Sequence, residues 1–209
     1  MRYNIISTGS KGNAIVVNGN ILIDCGVSFK ALNAVYKDLS IVLLTHCHSD
    51  HFKASTVRKL ASERPKLRFA CGEWMVADLV KCGVDKSKID ILKPKTEYDY
   101  GSFSIIPETL VHNVPNYGWH IFIGEKKVFY ATDTGNLDGI SAPGYDLYMI
   151  EANYEKEEIE ERIRQKEANG EYVYEYEVFN NHLDKAQTDA FILENVGPSS
   201  EYVYLHEHE

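Results

Sequence analysis

Four short apolar runs of this chain each end on a histidine or an aspartate, and that recurrence constrains the fold more than any other feature. His46 follows IVLLT, His112 follows SIIPETLV, Asp133 follows KKVFYAT and His206 follows EYVYL. A short continuous apolar run is the pattern of a strand buried on both faces. Polar side chains at the ends of such strands are fixed in place by the rigid scaffold behind them. Imidazole and carboxylate are common donors to divalent cations, so strand ends of this composition point to a metal site.

The intervening segments read as alternating blocks of strand and helix. YNIIS, NAIVVN and NILIDC, separated by TGSKGN and NGN, form a β-meander with tight turns. The glycines of TGSKGN are read as a turn rather than a phosphate cradle, because no helix follows them. Apolar spacing predicts a helix over 28–39, with Ser28 as its N-cap. Further helices are expected in KASTVRKLASER, in GEWMVADLVKCG ending at Gly83, in EKEEIEERIRQKEANG with Gly170 as C-cap, and in DKAQTDAFILENVG behind Asp184. LRFA, KIDILK and YDLYMIEAN, with Glu151 at its tip, read as strands, and TEYDYGSFSIIPETLVH as a hairpin turning at Tyr100-Gly101. The order suggests an α+β architecture of two β layers flanked by helices, not a regular βαβ wind. At 209 residues and 44% hydrophobic content, a single domain over 1–209 is expected.

Composition narrows the setting. No run approaches the roughly 20 apolar residues of a membrane span, and MRYNIISTGSKGN lacks the apolar core of a signal peptide. A cytoplasmic protein with no membrane partner is expected. Cys25, Cys47, Cys71 and Cys82 form no CxxC pair and read as buried or partly buried thiols rather than a disulfide framework. The net charge of −9 opposes non-specific adhesion to nucleic acid but leaves room for a local basic patch.

The segment THCHSDH, residues 45–51, puts three imidazoles and a carboxylate directly behind a buried strand. His46 and His48, two apart in an extended turn, can point the same way, while Asp50 and His51 curl towards a second cation. Cys47, between the two histidines, should face away. Asp133 has two oxygens and can serve both cations. Metals so held lower the pKa of a shared water and polarise a substrate oxygen.

This pattern resembles the metallo-β-lactamase superfamily. THCHSDH fits that family's HxHxDH motif, ATDTG fits its later bridging-aspartate motif, and STGSKGNAIVV and His112 stand in the expected order. The resemblance covers essentially the whole chain and implies the four-layer αββα sandwich, two mixed β-sheets flanked by helices. SxGSxGN, HNVPNYGW and NHLD…YLH are similar to a branch of small phosphodiesterases and nucleases that includes the YycJ-type proteins and the cyclic-ribose phosphodiesterase.

The resemblance implies that His46, His48 and His112 hold one metal, that Asp50, His51 and His206 hold the other, and that Asp133 bridges them. It also implies catalytic roles for Asp50, which would orient the attacking water, and for His182 in NNHLDKAQTDA, a non-ligand histidine that would protonate the leaving oxygen. The tail departs from the family, whose usual HLS or HIS is HEHE here, so His206 and His208 compete for the last ligand position. His206 is preferred because it directly follows the apolar strand. Two divalent ions are expected, with Zn²⁺ ahead of Mn²⁺, Fe²⁺ or Ni²⁺.

The implied reaction is hydrolysis of a phosphodiester (a nucleotide, a cyclic phosphate or a nucleic-acid end) by a metal-bridging hydroxide. A thioester, lactone or other acyl substrate on the same fold is the alternative, and a non-catalytic metal-binding protein the second. Oligomeric state is left open, a dimer being compatible. Outside the motif, His120 and Trp74 read as structural and the EKEEIEE run as a solvated helix face, while Tyr117, Trp119 and the tyrosines of EYVYEYEVF stay open between core and substrate cleft.

Overall fold

Strands form where the apolar runs lie, and the turns between them follow the small residues. The computed structural model describes residues 1–206. The chain divides into two compact units, Met1–Tyr98 with Val114–Tyr117, and Asp99–Asn113 with Gly118 onwards.

The first unit holds a six-stranded sheet of β1 (Tyr3–Ser7), β2 (Ala14–Val17), β3 (Ile21–Ile23), β4 (Ile41–Leu43), β5 (Arg68–Cys71) and β6 (Ile89–Ile91), in that spatial order. The first three strands form an antiparallel meander. Asn18 and Gly19 both take positive φ in the second turn, as a tight type I′ hairpin turn requires. From β3 to β6 the pairing is parallel. The crossovers carry α1 (Ala54–Glu63) and α2 (Val76–Lys81). Leu22, Val42, Phe69, Val57, Leu60 and Leu79 pack into one core, and Trp74 lies against it as a structural residue.

The helix expected over 28–39 does not form. A single 3₁₀ turn, Phe29–Leu32, is followed by isolated turns in which Val35 and Tyr36 both donate to the Leu32 carbonyl. Val35, Asn33 and Asp38 are poor helix formers, and Leu32 and Leu39 reach the core without a continuous helix. Its apolar spacing was right for burial and wrong for hydrogen bonding.

The other six-stranded sheet consists of β7 (Tyr98–Asp99), β8 (Ser104–Leu110), β9 (Asn116–Ile123), β10 (Lys126–Ala131), β11 (Leu147–Glu151) and β12 (Glu201–Leu205). Their spatial order is β12-β11-β10-β9-β8-β7. β10, β11 and β12 run parallel, and β9 is antiparallel to β10. Three helices follow β11: α3 (Lys156–Asn169), α4 (Glu175–Asn181) and α5 (Lys185–Asn195). Gly170 ends α3 in the left-handed conformation. Asp184 starts α5 with a full capping box, its carboxylate accepting from the Gln187 backbone and the Gln187 side chain accepting in return. The tyrosine-rich stretch before His182 enters α4 at Glu175. Tyr172, Tyr174 and Tyr176 are exposed there, while Val178 and Phe179 pack with Tyr154, Ile159 and Ile163 in a small separate core.

Candidate metal centre

In the first unit the polar loop 45–52 hangs from the end of β4, and its first residues are buried. Asp24, at the tip of β3, is the residue that organises it. Its carboxylate is fully buried and takes the Thr45 backbone N–H at 2.9 Å and the Thr45 hydroxyl at 3.0 Å. Its other oxygen lies 2.6 Å from His51 Nδ1. Thr45 Oγ1 in turn lies 2.9 Å from His46 Nδ1. One carboxylate and one hydroxyl therefore occupy the Nδ1 side of two imidazoles and turn their Nε2 atoms to the other side. That is how proteins orient histidine ligands, fixing the tautomer and raising the basicity of the coordinating nitrogen. His48 completes the trio, with Nδ1 3.1 Å from His46 Nε2, and Asp50 Oδ2 lies 3.6 Å from His51 Nε2. Cys47 is exposed, whereas the other three cysteines are buried.

The loop is clamped from behind by the first β-turn. Asn13 donates its backbone N–H to the Asp50 carbonyl at 2.6 Å, and its side-chain amide lies 2.8 Å from His51 Nε2. Cys25 N–H donates to the His51 carbonyl. Gly26 faces the Asp50 carbonyl so closely that a Cβ would overlap it, so only glycine lets these two segments meet.

In the second unit the strand ends deliver a matching set. Asp133 follows β10 and His206 follows β12, both with positive φ, a conformation that is uncommon outside glycine and frequent at functional positions. His182 caps the C-terminus of α4. Donor atoms of Asp133, His182 and His206 all lie within 4.8 Å of one another, close enough for one ion. His112 follows β8, its ring centroid 5.7 Å from that of His182 and its Nδ1 3.2 Å from the Asn181 carbonyl. His206 is fixed by Asn153, whose amide donates to its backbone carbonyl at 3.0 Å. His208 lies outside the described residues.

Glu151 stands to this set as Asp24 stands to the first. It is fully buried at the end of β11, accepts the Thr134 N–H at 2.6 Å, and lies 2.9 Å from His182 Nδ1 and 3.5 Å from His206 Nδ1. His182 Nδ1 is nearer to this carboxylate than to Asp133, which is 3.8 Å away. Asp24 and Glu151 are buried acids against candidate site histidines that the sequence motifs do not single out. Each is an acid closing an apolar strand, the same signal that drew attention to Asp133.

A family model described as a β-lactamase superfamily domain matches residues 19–187. The exodeoxyribonuclease YycJ of Bacillus anthracis is 36% identical over 172 residues, covering 75% of this chain. The exodeoxyribonuclease WalJ of Streptococcus pneumoniae is 28% identical over 173 residues, again 75% of this chain. The chain spans 64% of the length of each of these relatives. Among solved structures, the metallo-β-lactamase fold protein YhfI of Bacillus subtilis superposes with a TM-score of 0.76 at 17% identity, over 99% of this chain and 86% of that one.

Proposed function

The chain belongs to the β-lactamase superfamily and has the metallo-β-lactamase fold, and from that premise we propose that it is a metal-dependent phosphodiesterase or nuclease with a dinuclear centre. The two relatives named as exodeoxyribonucleases favour a nucleic-acid end as substrate over an acyl compound.

The single observation that carries the reading is the Asp24–Thr45 network, which holds His46 and His51 by Nδ1 and so turns Nε2 of both towards the polar side of the loop, where His48 and Asp50 also lie. The donors fit divalent metal: in the first unit three imidazoles and a carboxylate, in the second a carboxylate among imidazoles, each set braced by a buried acid. His46, His48 and His112 are assigned to one ion, Asp50, His51 and His206 to the other, and Asp133 to both. Zn²⁺ is the first candidate, with Mn²⁺, Fe²⁺ and Ni²⁺ behind it. When bound, such ions supply Lewis-acid polarisation of the phosphoryl oxygens and a water acidified towards neutral pH.

The protein's own groups then have distinct work. Asp50, partly exposed beside His51, accepts a hydrogen bond from the attacking water and orients it. His182 donates Nδ1–H to the Glu151 carboxylate, which fixes its tautomer and leaves Nε2 to carry the proton exchanged with the leaving oxygen. Glu151 also offsets the positive charge that His182 acquires when doubly protonated.

The test is to replace His48 and Asp133 separately by alanine and to assay bis-p-nitrophenyl phosphate with Zn²⁺ or Mn²⁺, alongside a thioester. Each variant should lose about 100-fold or more in turnover and bind less metal than the two ions per chain expected of the wild type. Undiminished phosphodiester turnover in either variant overturns the mechanism, and turnover of the thioester alone transfers the site to acyl chemistry.

A further inference from the structure

The second unit carries a polar cavity of about 200 Å³, large against the roughly 10–15 Å³ that one water requires on the same measure and sufficient for a phosphate group. Asn153, Tyr154, Arg162 and Lys185 line it, with Glu155 and Glu158. Asn153 belongs to the cavity and to the candidate centre at once, since its amide holds His206. The cavity thus begins one residue contact away from a proposed metal ligand.

The cations on and after α3 are not equivalent, and only Arg162 and Lys185 line the cavity. On α3, Arg164 is engaged by Glu161 at 2.8 Å, and Lys166 pairs with the buried Glu175 at 2.7 Å while lying over the Tyr174 ring. Lys185 reaches Glu155 at 3.3 Å, and both of these side chains are about half exposed. Arg162 is half-buried and lies in the field of the buried Glu175, a carboxylate that Lys166 already holds at 2.7 Å. Glu158, one turn earlier on the same helix, is exposed, so Arg162 shares Glu175 with Lys166 and keeps donors for a further anion. A guanidinium that is partly withdrawn from water forgoes hydration that five N–H donors would otherwise enjoy, so an anion with oxygens in a matching plane is its natural complement. Glu155 and Glu158 are exposed, so solvent and salt screen them.

We propose that this cavity is a phosphate subsite for the substrate strand, with Arg162 as its anchor and Lys185 as a second, solvent-screened contact. The inference rests on the phosphodiesterase reading in one respect only, the identity of the strand as the substrate. The phosphate held would be one removed from the bond being cut, because the cavity adjoins the brace of His206 rather than the ligand itself. A small diester such as bis-p-nitrophenyl phosphate has no second phosphate and cannot use the subsite.

Binding and cleavage are measured separately on wild type, Arg162→Gln and Arg162→Lys. In EDTA, fluorescence anisotropy of a labelled single-stranded oligodeoxynucleotide should weaken about tenfold in Arg162→Gln, as expected for loss of a charged hydrogen bond. The slope of log affinity against log salt should fall by about one, with partial recovery in Arg162→Lys. Inorganic phosphate should compete in the wild type with far lower affinity than the oligonucleotide, which distinguishes a strand site from a site for the free ion. With metal present, oligonucleotide cleavage should fall while turnover of bis-p-nitrophenyl phosphate stays unchanged. Equal oligonucleotide affinity and salt slope in wild type and Arg162→Gln overturn the subsite, as does absence of strand binding in the wild type. Arg162-dependent strand binding without any hydrolysis sustains the subsite and removes the hydrolase reading instead.

Discussion

His120 offers a test of burial energetics that is independent of any metal. It sits on β9, almost wholly buried, with Nδ1 2.9 Å from the Tyr145 hydroxyl and its ring against Phe129. Burial pushes its pKa down from 6.5 to about 4, since nothing close enough replaces the water that would solvate an imidazolium. Glu108 faces it, and at 3.8 Å from Nε2 it lies beyond hydrogen-bond reach. Burial also pushes the Tyr145 phenol up to about 12, so its hydroxyl stays protonated and can donate to Nδ1 of the neutral ring.

The sign follows from linkage. Between the folded and unfolded pKa values the unfolded chain binds the extra proton, so stability falls as the pH falls from 6.5 towards 4 and is fully present above 6.5. A displacement from 6.5 to about 4 corresponds to about 3 kcal/mol once complete, of which about 2 kcal/mol is lost between pH 7 and pH 5. Urea unfolding followed by tryptophan fluorescence, with Trp119 adjacent in the same strand, measures this at both pH values. Carboxylates also titrate over this range, so the quantity to compare is the stability difference between wild type and His120→Gln. That difference should shift by about 2 kcal/mol against the wild type on going to pH 5. A difference constant to within about 0.5 kcal/mol would show that the imidazole is not held neutral. A shift in the opposite direction would show that Glu108 stabilises the charged ring.

Two further predictions concern the buried acids. Glu151→Gln keeps the shape beside His182 but removes the charge, and should lower kcat about 10–100-fold with little change in KM. An unchanged kcat would reduce Glu151 to a packing role. Asp24→Asn should weaken metal binding about 10–100-fold in a chelator competition titration, because His51 loses the acceptor that fixes its tautomer. Unaltered affinity would separate Asp24 from the centre.

What the sequence disclosed depended on whether a residue's role is local. The capping box of Asp184, the left-handed cap at Gly170 and the hairpin turns were legible because each is settled within four residues. The failed helix over 28–39 shows the limit, since its apolar positions record what must be buried but not which backbone hydrogen bonds accompany burial. The candidate ligands of the loop 45–52 stood out because four of them share one short segment. Asp24 and Glu151 did not, because an acid at a strand end has meaning only through its partner. His51 lies 27 positions from Asp24, and His182 lies 31 from Glu151. Yet both were recoverable in principle. A fully buried carboxylate is too costly to keep without hydrogen-bond donors around it. An Asp or Glu closing an apolar strand, with histidine-rich loops elsewhere in the chain, is therefore a demand for those histidines. Applied to NILIDC and YDLYMIE, that rule selects Asp24 and Glu151 from residue chemistry alone. Applied to GWHIFIG it does not select His120, because an imidazole, unlike a carboxylate, can meet burial by staying neutral.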